Sequence, residues 1–193
     1  MIRQILQLGN ETLRKKSSPV KDFHSKDLEN LIEDLSDTLQ DAKKKFGYGR
    51  GIAAPQIEVL KRVVFIDMPG FKAALIDPTI TKASDKKFEV WDSCFSFNLA
   101  FFVLVQRHYS VRVGYLDQEG KKHVIDAEDK LSELLQHEID HLDGILATDR
   151  MKDTKRMMMR SEWEKISKQL ARGAGFEPAR PVRTTGLAGL DLR

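Results

Sequence analysis

His137-Glu138-Ile139-Asp140-His141 is the stretch whose reading decides this chain's fold and chemistry. Around it Leu131, Leu134, Leu135, Ile139 and Leu142 recur at spacings of three and four, so a helix is predicted from about Glu128 to Asp143, closed by Gly144. Two histidines four residues apart lie on one helical face, one turn apart, where both imidazoles can reach a single metal ion. Glu138 is offset by one position. It stands beside such an ion without having to bind it, where a carboxylate can take a proton from water.

Two histidines leave a metal site one protein ligand short. A third histidine in the pattern H-x-x-G-x-x-H would fall at position 147, which is alanine, although Gly144 is in place. Glu162 or Glu164, further along, can be nominated. So can Cys94, the only thiol in the chain, although a lone cysteine is more often a small buried hydrophobe than a ligand.

Upstream, Leu28, Leu31, Ile32, Leu35, Leu39 and Ala42 place one apolar stripe on a helix over Asp27–Phe46, ended by Gly47 and Gly49. Gly51-Ile52-Ala53-Ala54-Pro55-Gln56 has no helical period and is expected as a loop. Arg62–Asp67 and Ala73–Asp77 read as buried strands, the second closed by Pro78. Two or three more strands are expected between Phe88 and Asp117, with a clear two-residue alternation over Ser110–Leu116. Asp117-Gln118-Glu119-Gly120 is a hairpin turn into Lys122–Ile125, and a polar helix is expected from about Thr154 to Leu170. Gly173–Arg193 is dominated by Gly, Ala, Pro, Arg and Thr and has no period. The chain divides into a folded domain, 1–170, and a tail outside it, 171–193. Helix, strand-rich middle and chemistry-bearing helix make an α+β fold.

Its 193 residues suit one domain, and 32 basic against 29 acidic residues leave a formal charge of +3, too small to argue for specific nucleic-acid binding. A single cysteine excludes an internal disulfide. Met1–Leu8 lacks the order of a secretory signal, and Cys94–Val105 is too short to span a bilayer, so the cytoplasm is the expected compartment and no membrane partner is expected.

Three segments in order resemble the peptide deformylases: Gly49-Arg50-Gly51-Ile52-Ala53-Ala54-Pro55-Gln56, Asp92-Ser93-Cys94-Phe95-Ser96, and His137–His141 with Gln136 before it. The opening, Ile5 to Val20, is similar to that family's first strand and loop, and the likeness covers about residues 1–165. The resemblance implies antiparallel sheets packed around a central metal-binding helix. It implies Cys94, His137 and His141 as ligands of one divalent ion, ferrous iron expected and zinc, nickel or cobalt able to replace it. Glu138 would be general base and then general acid. Gln56 and the Phe95 N–H would stabilise an oxyanion, and Gly51 would let the substrate backbone approach. The implied reaction removes the N-formyl group from N-terminal formyl-methionine of nascent proteins, releasing formate. A transient ribosome contact would suit the basic Lys152, Lys155, Arg156 and Arg160. The alternatives are a hydrolase of another N-acyl substrate and a metal-binding homologue without turnover.

Departures from the family pattern cluster at the implied substrate surface. Asp92 replaces a glutamate that pairs with an arginine, and Arg107 is available to it. Ser93 replaces a glycine, Phe95 a leucine, and Arg50 an aliphatic residue beside the methionine pocket, where it is expected to turn outward. Phe97–Val105 lacks a Pro- and Arg-bearing loop and reads as buried strand. His24, His108 and His123 match no ligand spacing.

Overall fold

The structure, a computed structural model, describes residues 1–171. The tail expected from 171 onward lies, apart from Ala171, outside the described residues. Helix α1, Lys26–Phe46, begins where Ser25 Oγ accepts the Leu28 N–H and ends where Gly47 turns left-handed at φ 74°. The expected loop at Gly51 is instead a short strand, β1, Gly51–Ala53. There follow β2 (Val63–Met68), β3 (Phe71–Ala83), β4 (Lys87–Asp92), β5 (Phe101–His108), β6 (Ser110–Leu116) and β7 (Lys122–Glu128). Helix α2 (Asp129–Leu142), strand β8 (Met157–Met159) and helix α3 (Arg160–Ala171) complete the order.

A five-stranded sheet runs β1-β2-β3-β6-β7 and a three-stranded one β4-β5-β8, with every pairing antiparallel. Alternation along β2 explains how both faces of the larger sheet are buried. Val63 and Phe65 join Leu31, Leu35 and Leu39 of α1 in one cluster. Val64 and Ile66 join Leu134, Leu135, Ile139 and Leu142 of α2 in another. Each such side chain taken out of water contributes about 1.5–3 kcal/mol. Helix α2 also packs against β5, so it stands between the two sheets with the histidine motif inside. No helix among the described residues is long and apolar enough to cross a membrane.

Three further expectations are corrected. Pro78 does not end β3; the strand passes through it at a register shift between Ile76 and Thr79, which absorbs the missing N–H. The expected helix from Thr154 starts late, because Met157–Met159 pairs with Phe101–Val103 as β8 before α3 begins. Ile5–Val20 forms no strand. Its backbone is spent on other segments: the Leu6 N–H donates to the Gln56 carbonyl (2.8 Å) and the Leu8 N–H to the Ser96 carbonyl (2.7 Å).

Candidate metal centre and substrate pocket

Strand β4 ends at Asp92, and two residues on Cys94 caps a 3-10 turn over Phe95–Phe97, its Sγ accepting the Ser96 N–H at 3.3 Å. That turn presents the thiol to α2. Ligand atoms of Cys94, His137 and His141 lie within 4.8 Å of one another, all three residues buried. Cys94 Sγ is 3.2 Å from His141 Nε2, and the two imidazole centroids are 5.0 Å apart, near perpendicular. Glu162 takes no part; it pairs with Lys165 on the surface, and Glu164 is not in the cluster either.

A buried thiol and two imidazoles whose donor atoms converge fit a divalent ion of the zinc or iron type. Asp92 supports the same reading. Its carboxylate lies 2.9 Å from His137 Nδ1, which leaves Nε2 to face the cluster. Burial opposes a charge on His137, but the Asp92 carboxylate outweighs it and holds that imidazole's pKa well above the ordinary value. His141 goes the other way: burial, then the neighbouring His137, holds its pKa well below. Asp92 is itself kept ionised although burial works against it, because His137 and Arg107 both favour the anion.

Behind the cluster Arg107 Nη2 meets Asp92 at 3.0 Å, while Nη1 donates to Asp140, which also takes Arg150. The Asp92–Arg107 pair is therefore buried on both sides and tied into α2. Asp140 was the silent member of the motif in sequence, and its partners explain its place there.

Glu138 opens onto a cavity of about 320 Å³ that also reaches Cys94, His137 and Gln56. It is 3% exposed, and its Oε2 has no hydrogen-bond partner among the described residues. Burial, the largest influence, pushes its pKa up to about 7. Gln56, 1% exposed, is oriented by the Ala53 N–H on its Oε1 at 2.9 Å. Its Nε2 donates to Ser96 Oγ at 3.1 Å and to Cys94 Sγ at 3.4 Å. Phe95 opens the 3-10 turn, where the first N–H groups have no partner within the turn.

Arg50 does not turn outward. It lines the cavity with Nη2 2.8 Å from Glu133 on α2. Ser93 also borders the cavity but directs its hydroxyl to the Phe101 carbonyl at 2.7 Å, and its φ is not positive, so serine fits without strain. The reading of Phe97–Val105 as buried strand fails at its start: Asn98 and Leu99 turn left-handed (φ 52° and 51°), and Leu99 and Phe102 line the cavity. Arg160 and Trp163 line it too, which the polar character of their segment gave no means to foresee. His108 Nδ1 bonds the Ser84 carbonyl and His123 pairs with Asp117, away from the cluster.

The sequence model of the family described as polypeptide deformylase matches residues 2–157. Peptide deformylase 2 of Clostridium perfringens is 40% identical over 154 residues, covering 79% of this chain and 94% of the relative. The peptide deformylase of Brachyspira hyodysenteriae is 34% identical over 181 residues, 90% of this chain and 93% of its own length. Among solved structures, a peptide deformylase from Legionella pneumophila superposes with a TM-score of 0.74 at 38% identity, covering 89% of this chain and 99% of that one. Sequence and backbone thus agree over the segment that carries the Cys-His-His cluster, and on that ground this chain belongs to the polypeptide deformylase family.

Proposed function

We propose that the chain removes the formyl group from the N-terminus of formyl-methionyl peptides, with Glu138 carrying the proton and Cys94, His137 and His141 holding the ion. What carries the reading is the Glu138 oxygen that finds no hydrogen-bond partner among the described residues, buried beside the cluster in the lining of the cavity. An unpaired carboxylate oxygen is costly to bury and is kept where a reacting group will meet it. When bound, a divalent ion supplies Lewis-acid chemistry, polarising a carbonyl and making water acidic near neutral pH.

Glu138 takes a proton from the attacking water as its oxygen adds to the formyl carbon. The carboxyl then gives that proton to the amine nitrogen as the C–N bond breaks, leaving formate and a free N-terminus. A carboxyl whose pKa is about 7 is matched to both halves of this task. The Gln56 amide and the Phe95 N–H donate to the oxyanion. Both Gln56 N–H groups are engaged at rest, so one must be given up, and the long contact to Cys94 Sγ is the weaker of the two. Gly51 and Ser93 leave room along the cavity for the peptide, and Arg50, clamped to Glu133, shapes its rim.

Ferrous iron is our expected ion, and zinc, nickel or cobalt would also suit this donor set. The free thiol of Cys94 and a nascent-chain substrate fit a cytoplasmic enzyme. The exposed Lys152, Lys155 and Arg156 would serve a transient ribosome contact. The test is Glu138→Gln. Formate release from a formyl-Met peptide should fall at least about a hundredfold, the scale of a lost general base, with metal content per chain unchanged. Turnover kept by the variant would remove Glu138 from the role.

A further inference from the structure

The charges around the cavity are nearly all matched. Arg50 is tied to Glu133, and Asp92 sits between Arg107 and His137. Arg160 differs. It makes no ion pair among the described residues, yet its side chain is held firmly at the rim. Its Nε donates to the Leu99 carbonyl at 2.5 Å. Its guanidinium carbon lies 4.9 Å from the ring centroid of Tyr48 and 4.7 Å from that of Phe102. Phe102 in turn stacks on Trp163 at 4.9 Å. Nη1 and Nη2 make no hydrogen bond among the described residues, so among those residues a cation is fixed in the cavity lining with its fork open.

We propose that Arg160 is a specificity residue that receives a carboxylate carried by the substrate downstream of its formyl-methionine end. The inference rests on the deformylase reading and adds a preference to it. A planar guanidinium matches a carboxylate with two parallel N–H groups, and aromatic packing has already fixed its orientation. A backbone carbonyl would engage the same fork but is present in every peptide and neutral, so it would give no selectivity. An unmatched cation among matched pairs favours the anion.

The test uses the metal-loaded full chain and three peptides: formyl-Met-Ala-Ser amide, formyl-Met-Ala-Asp amide, and formyl-Met-Ala-Ser with a free carboxyl end. The expected result is kcat/KM about tenfold higher for a carboxylate-bearing peptide than for the neutral amide, the size of one charge-assisted hydrogen bond. That ratio should shrink at high salt and fall to about one in Arg160→Met, while Arg160→Lys keeps part of it. Preference for the aspartyl amide assigns the contact to a side chain, and preference for the free acid alone assigns it to a chain end. Equal kcat/KM on all three peptides, or a preference that survives Arg160→Met, overturns the proposal. Peptide affinity is read in parallel from tryptophan fluorescence, since Trp91 and Trp163 both border the cavity. If no formate is released the deformylase reading fails, and the affinity ratios still decide the role of Arg160.

Discussion

A methyl group on residue 51 would fall 2.7 Å from Glu138 Oε1 and 2.9 Å from Ile66 Cδ1. Gly51 has no positive φ, so glycine is needed there for space and not for conformation. The resemblance assigns that space to substrate, and the structure shows the Glu138 carboxylate already using part of it. Gly51→Ala should therefore displace the Glu138 carboxylate. The expected outcome is a fall in kcat of about a hundredfold, the scale of a misplaced catalytic group, with the crowding of Ile66 costing about 1–3 kcal/mol in a denaturant melt. An unchanged kcat would mean that the carboxylate is not positioned by this contact. Residue by residue, the site was readable where chemistry and period coincide. His137, Glu138 and His141 follow from spacing on a helix. Cys94 does not, because nothing in a lone thiol says that a turn will aim it at that helix. Arg160 was read as one of several surface cations. Its place in the cavity depends on two aromatic rings from distant segments, and no local pattern encodes that.

Arg107 is the point where three elements meet. It sits on β5, takes Asp92 at the end of β4, and takes Asp140 on α2, all of them buried. Removing the cation leaves two carboxylates in a low-dielectric interior, with only His137 and the half-exposed Arg150 to answer them. Arg107→Met is expected to lower unfolding stability by about 3–5 kcal/mol, as removal of one partner of a buried pair does. It should also weaken metal binding, because Asp92 orients His137. Equilibrium denaturation and competition with a coloured chelator measure the two effects. Unchanged values in both would reduce the network to a bystander. At this scale α1, α2 and the β6–β7 hairpin were legible because one buried face imposes one period. Elements defined by a partner were not. Strand β8 is three methionines that become a strand only by pairing with Phe101–Val103. The register shift that carries β3 through Pro78 exists only because β6 lies beside it.

Across the whole molecule the donor atoms come from both halves of the fold. Cys94 follows β4 of the small sheet, whereas His137 and His141 ride on α2, which packs on the large one. An ion held by all three joins the sheets through one point, and only the folded chain brings those donors together. Binding free energy at such a site is folding free energy. At a free ion concentration one hundred times Kd, linkage gives about 2.7 kcal/mol. For a domain of this size that is a fall in Tm of about 5–10 °C when a strong chelator removes the ion. Cys94→Ser, with a poorer ligand in the same volume, should melt lower than the metal-loaded protein and respond little to the chelator. Scanning calorimetry of both proteins, with and without chelator, decides the matter. An equal response from the two would mean that the thiol is no ligand, and that the ion, if one binds, is held from one side of the fold only. A response confined to the wild type would show the small sheet and α2 stitched together by the centre that performs the chemistry, so that losing the ion loosens the wall of the pocket as well as stopping the reaction.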